Sequence, residues 1–228
     1  MNIRDVNNVG TPTHPVEASC LSKNYGNRFG LKDASFEVRD REVFGLIGPN
    51  GAGKSTLLRV LATLTRPTSG EAKIFGHDII KQPRLVRRII GVVLHQSLLY
   101  DEFSGKENLS FYLRLYGLRD RKIIEQKIVD KASIFGVNER LDDQVRTLSS
   151  GLKKRLDIVR ATIHSPRLLL LDEPFAGLDR EGVDHLKKYL SHARENSAIV
   201  LSTHSLDIAK ETSDRIATLR DGRIMEIH

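Results

Sequence analysis

The chain has one cysteine, Cys20, among 228 residues. That excludes an internal disulfide and any cysteine-rich zinc site. No apolar stretch approaches the roughly 18–20 residues that cross a bilayer. The opening segment MNIRDVNNVGTPTHPVEAS has no apolar h-region, so no secretory signal is expected there, and a reducing compartment is. There is no internal repeat, no low-complexity tract and no heptad run. No long basic run or aromatic-interleaved basic stripe is present either, which removes the usual footprint of nucleic-acid binding. What remains is a chain with 39% hydrophobic and 29% charged residues, a globular composition long enough for a full core. Its net charge of +7 suits a polyanionic partner such as nucleotide phosphates or an anionic lipid surface, and equally suits plain solubility.

Residues 1–15, with Gly10, Pro12 and Pro15, read as a loose leader, and 16–228 as one domain. Val16, Ala18 and Cys20 alternate, as do Phe36 and Val38, so two half-buried antiparallel strands are expected, with Cys20 on the apolar face as inert core. Val43 to Ile47, Ile89 to Leu94, Leu168 to Leu171 and Ala198 to Leu201 are continuous apolar runs, the mark of strands covered on both faces. Helical stripes lie between them: Leu57, Val60, Leu61 and Leu64, then Val183, Leu186 and Leu190. This predicts an α/β fold with a mainly parallel sheet. Between about 105 and 165 only helical stripes occur: Leu109, Tyr112, Leu113 and Tyr116; Ile124, Ile128, Ala132 and Phe135; Leu156, Val159 and Ile163. An inserted helical subdomain of about 97–160 is therefore expected. Ile216 to Leu219, Asp221-Gly222 and Ile224 to Ile227 predict a closing hairpin.

The chemistry begins at Gly48-Pro49-Asn50-Gly51-Ala52-Gly53-Lys54-Ser55-Thr56, which fits G-x-x-x-x-G-K-[ST] between a buried strand and a helix. Glycines let backbone N–H groups close around phosphate oxygens, and the helix start adds a positive dipole end. Lys54 is expected to reach the β and γ phosphates of a nucleotide, and Ser55 to bind Mg²⁺. In Leu168-Leu169-Leu170-Leu171-Asp172-Glu173-Pro174, two carboxylates leave the C-terminal end of a buried strand, the end that faces the ligand crevice in open α/β sheets. Asp172 is a candidate Mg²⁺ holder and Glu173 a candidate general base. His204, after the Ala198 to Leu201 run, is placed to reach the γ-phosphate or the attacking water, and Gln96, after Ile89 to Leu94, to sense both metal and water.

Taken with Leu148-Ser149-Ser150-Gly151-Leu152 and Ala176-Gly177-Leu178-Asp179, this ordered set resembles the ATP-binding cassette (ABC) ATPases from about residue 16 to 228. The resemblance implies a P-loop fold with a RecA-like core, an N-terminal antiparallel β lobe and the helical insert. It implies ATP and Mg²⁺ as ligands, with Ser55, Gln96 and Asp172 toward the metal and Tyr25 stacked on adenine. It also implies a head-to-tail pair of cassettes, in which Ser149, Ser150 and Gly151 reach the partner's γ-phosphate and Asp179 belongs to a loop at the dimer interface. The implied partner is a separate membrane permease, with the cassette peripheral to the cytoplasmic face of the membrane. Ser150 and Leu152 depart from the family's Leu-Ser-Gly-Gly-Gln, Leu152 removing a polar contact across the dimer. His95 to Phe103 and Glu107 to Gly117 further resemble the haem-exporter ATPase of cytochrome c maturation. Multidrug, polysaccharide and lipid exporters are the alternative, followed by a soluble non-transport cassette protein. Leu98, Leu99, Tyr100 and Phe103 form an apolar cluster after Gln96, where the resemblance places the permease contact, with Tyr100 and Phe103 expected as the exposed pair.

Overall fold

A computed structural model describes residues 14–228. Most of the expected leader 1–15 lies outside the described residues. The chain runs β1 (Val16–Tyr25), β2 (Arg28–Val38), β3 (Val43–Ile47), α1 (Lys54–Leu61), β4 (Ser69–Ile74), β5 (His77–Asp78), α2 (Pro83–Ile89), β6 (Ile90–Val93), α3 (Gly105–Leu115) and α4 (Arg121–Ile134). Two short 3-10 turns follow, then α5 (Ser150–Thr162), β7 (Leu168–Asp172), α6 (Arg180–Ala193), β8 (Ala198–Ser202), α7 (Leu206–Thr212), β9 (Arg215–Arg220) and β10 (Arg223–Ile227).

Two sheets form. One is antiparallel, in the order β2-β1-β4-β5; the other runs β10-β9-β3-β8-β7-β6, parallel throughout except for the β9–β10 hairpin. The continuous apolar runs are explained by what covers them. Along β7, Leu168 and Leu170 face a core shared with α1 and the β lobe, while Leu169 and Leu171 face a core shared with α3, α4, α5 and α6. Every residue of β7 and β8 is buried, as a strand sandwiched on both faces requires. Phe36 of the antiparallel sheet stacks on Phe44 of the parallel one at 5.6 Å between ring centroids, joining the two.

Two expectations about the core are corrected. Cys20 is exposed, not buried. The ladder between β1 and β2 slips between Ala18 and Leu21, and Cys20 takes a φ of +48°. The bulge inserts an extra residue, so the alternation restarts with Leu21 inward. Leu64 is 52% exposed, because α1 stops at Leu61 and Thr63 turns left-handed with φ +60°. The helix therefore ends before its stripe does.

Candidate functional site

Five strands of the large sheet run parallel and end on one edge, and three of them, β3, β7 and β8, carry the site. After β3 the chain enters the glycine loop. Gly48 has φ +148°, and a Cβ there would meet the Leu219 carbonyl oxygen at 2.2 Å; Gly53 has φ +112°, and a Cβ there would meet the Gly30 carbonyl oxygen at 2.5 Å. Neither position tolerates a side chain, which is why the loop can wrap so tightly. Lys54, first residue of α1 and 6% exposed, turns back into the loop. Its ammonium donates to the carbonyls of Gly48 at 2.6 Å and Pro49 at 3.3 Å and lies 3.9 Å from Glu173 Oε1.

Asp172 ends β7 with 1% exposure. Its Oδ1 accepts hydrogen bonds from the hydroxyls of Ser55 at 3.0 Å and Ser202 at 2.7 Å. Its Oδ2 is buried without a hydrogen-bond partner among the described residues. Glu173 takes φ +47°, an uncommon conformation for a residue with a side chain. Its N–H donates to Ser202 Oγ at 3.0 Å, and its Oε2 lies 3.0 Å from His204 Nδ1. One hydroxyl, Ser202 at the end of β8, thus ties down both carboxylate residues. A hydroxyl beside a buried carboxylate with one free oxygen is a hard-oxygen donor set, of the kind that suits Mg²⁺. Among the described residues no group of three or more His, Cys, Asp or Glu is placed to hold a metal alone.

A cavity of about 630 Å³ covers these groups. Asn50, Gly51, Ala52, Gly53, Lys54, Ser55, Thr56, Glu173, His204 and Tyr25 line it, bringing most of the sequence-derived residues together. Arg28, Phe29, Gly30 and His95 line it as well without having been expected there, as does Ala176 of the Ala176–Asp179 segment. Phe29 is 51% exposed and only four residues after Tyr25, so a second aromatic in the same turn was the available signal. Tyr25, whose expected role is an adenine stack, stands at the cavity with the Lys23 ammonium 5.1 Å over its ring. Gln96 is exposed and does not line the cavity, whereas its neighbour His95 does.

The remaining expected residues stand apart from this cavity. Ser149 caps α5, its hydroxyl accepting from the Leu152 N–H at 3.3 Å. Ser150 is the first residue of α5, and a Cβ on Gly151 would come 3.2 Å from the Gly177 carbonyl oxygen. Leu152 packs partly buried on the helical core, so its side chain is used within the chain. Asp179 caps α6 through the Gly182 N–H at 3.0 Å and pairs with Arg155, which also reaches Glu181 at 3.1 Å. The bond from Arg155 holds the Asp179 carboxyl below the usual carboxylate range.

Residues 31–176 match the family model described as "ABC transporter". The chain is 35% identical over 216 residues to "Uncharacterized ABC transporter ATP-binding protein YhcH" of Bacillus subtilis (strain 168), covering 93% of this chain and 69% of that one. It is 37% identical over 219 residues to "Daunorubicin/doxorubicin resistance ATP-binding protein DrrA" of Streptomyces peucetius, covering 94% of this chain and 65% of the relative. It therefore spans about two thirds of the length of these relatives. Among solved structures, "Structure of ATP binding subunit of ABC transporter" superposes with a TM-score of 0.86 at 31% identity, over 93% of this chain and 89% of the other.

Proposed function

This chain belongs to the ABC transporter family, as one of its ATP-hydrolysing subunits, and from that premise we propose that it drives a separate membrane permease in export. The observation that carries the catalytic part is the Lys54–Glu173–His204 grouping over Asp172 and Ser55 at one sheet edge. Glu173 takes a proton from the water that attacks the γ-phosphorus. The new P–O bond forms as the bond to the β-phosphate oxygen breaks, and the proton passes on to the released phosphate. Lys54 and the loop N–H groups hold the phosphates, while His204 keeps Glu173 turned toward them. Ser55 and Asp172 would hold Mg²⁺, which when bound would spread the charge developing on the phosphate oxygens, and Gln96, outside the cavity in this structure, is assigned to approach the γ-phosphate from the end of β6.

A second copy supplies what one cavity lacks. Ser149, Ser150 and Gly151 start a helix, a favourable anion site, yet they do not line their own chain's cavity. A head-to-tail pair would bring them to the partner's nucleotide, with Asp179 beside the junction. No helix among the described residues is long and apolar enough to cross a membrane, consistent with a cassette that docks peripherally at the cytoplasmic face.

The permease contact is assigned to the surface after Gln96. Tyr100 is 48% exposed and Phe103 40%, while Leu98 and Leu99 are half-buried. Beside them runs a groove of about 720 Å³ that Phe103 and Phe111 enter. A short amphipathic helix suits such a groove. Phe103→Asp should fold and hydrolyse ATP but fail to co-purify with its permease; continued assembly would place the contact elsewhere. Haem is the cargo suggested by the resemblance of 95–117. In the structure much of that segment serves packing, with Asn108 satisfied by Tyr100 and Ser104, and the drug-resistance name of one relative points to other organic cargo. The site supports ATP hydrolysis; export is the reading drawn from the resemblance and from that relative's name, with the permease selecting the cargo.

A further inference from the structure

β6 is an edge strand of the large sheet, so its outer carbonyls have no strand to pair with among the described residues. α5 and the turn after it run along that edge and take them one by one. His164 Nε2 lies 3.0 Å from the Ile90 carbonyl oxygen, the Arg160 guanidinium donates to the Val92 carbonyl, and the Lys154 ammonium donates to the Leu94 carbonyl at 3.5 Å. Covering an edge with a helix is a common device against strand pairing. Here it also ties the helix that carries Ser149 and Gly151 to the strand that leads to Gln96.

The hold resumes beyond Gln96. His95, Gln96 and Ser97 are exposed, and then the Tyr112 hydroxyl of α3 donates to the Leu98 carbonyl at 2.5 Å. The Tyr112 ring lies under Arg160, whose Cζ is 5.1 Å from the ring centroid and whose Nε donates to buried Asp157 at 2.6 Å. Burial raises the Tyr112 hydroxyl's pKa above an ordinary value that already keeps it protonated at neutral pH. Only three residues lie between Leu94 and Leu98, and the four steps from one held carbonyl to the other reach about 13–14 Å even when fully extended. Gln96 therefore goes where α3 and α5 place it.

We propose that Tyr112 and Lys154 are positioning residues of the ATPase, fixing from either side where Gln96 stands relative to Asp172 and Glu173. The proposal rests on the reading of Gln96 as a residue that acts at the γ-phosphate. Neither Tyr112 nor Lys154 lines the nucleotide cavity; Tyr112 acts through the segment it holds, while Lys154 also lies within electrostatic reach of Asp172 and Glu173, so Tyr112 is the cleaner probe.

The test is a double-mutant cycle on the full chain with a structural readout beside it. Tyr112→Phe keeps the ring under Arg160 and removes only the hydroxyl. Its kcat should fall about threefold to tenfold, the effect of one neutral hydrogen bond, with the KM for ATP within about twofold. Amide hydrogen exchange should quicken in 95–98 and stay unchanged in β7. Gln96→Ala should slow hydrolysis, and Gln96→Ala/Tyr112→Phe should be no slower than Gln96→Ala alone. If Tyr112→Phe proves poorly folded, Lys154→Met, which keeps the stem and removes the donor, goes through the same cycle. Additive losses, or unchanged exchange in 95–98, overturn the positioning role while leaving the reading of Gln96 intact. Full activity in Gln96→Ala removes that reading and this inference together.

Discussion

His204 and Glu173 meet across the ends of two adjacent parallel strands, with Nδ1 of the imidazole 3.0 Å from Oε2 of the carboxylate. The two are unequally covered: the Glu173 side chain is 19% exposed and that of His204 70%. The carboxylate thus stands inside the cavity, held from behind by Ser202 through its N–H and from the solvent side by the imidazole.

His204→Ala removes that outer support and leaves Lys54 and the glycine loop untouched. The expected result is a fall in kcat of about 10- to 100-fold, the range for a hydrogen bond to a charged group. Calorimetric ATP affinity should remain within about twofold. Unchanged steady-state phosphate release would show that the contact plays no part in turnover.

Stability should depend on pH through a residue remote from this chemistry. His164 stacks on Tyr116 at 3.8 Å between centroids, and burial pushes its pKa down to about 4. Between pH 6.5 and about 4 the unfolded chain takes up a proton on this residue that the folded chain refuses. Folding stability from this source is therefore complete above pH 6.5 and falls as pH drops through that window, by on the order of 3 kcal/mol. Urea denaturation at pH 7.5 and pH 5 should show a smaller loss in His164→Phe than in the parent chain. Equal slopes would mean that His164 already titrates normally in the folded state.

Gly91 marks how closely α5 lies on β6. A Cβ there would come 2.1 Å from the Ala161 carbonyl oxygen and within 3 Å of Leu169 and Pro166. Gly91→Ala must push the helix from the strand and should cost about 1–3 kcal/mol, as overpacking does. The midpoint of chemical unfolding measures it. A variant as stable as the parent would show that the helix has room to move away freely.

The sheet and its motifs were readable because strands covered on both faces write themselves as unbroken apolar runs. Val43 to Ile47 matches β3 residue for residue, and Leu168 to Leu171 lies within β7. β4, with the sequence SGEAKI and only Ala72 and Ile74 buried, was invisible for the opposite reason. Cys20 misled because a bulge shifts the period without leaving a mark in composition. At the site, residues contiguous with a strand end were legible: Lys54, Ser55, Asp172, Glu173 and His204. Ser202 was passed over although it links Asp172 to Glu173, since its partners lie 30 and 29 positions away in sequence. Arg28 and His95 likewise join the cavity only through folding.

The central claim is that this cavity hydrolyses ATP with Glu173 as the proton acceptor. Glu173→Gln tests it most directly, because the amide fills the same space and cannot take the proton. Phosphate release should fall by about 10²–10⁴-fold, while calorimetry should still show ATP binding and size measurement should show an ATP-dependent dimer. Hydrolysis at the parent rate by Glu173→Gln would contradict the account.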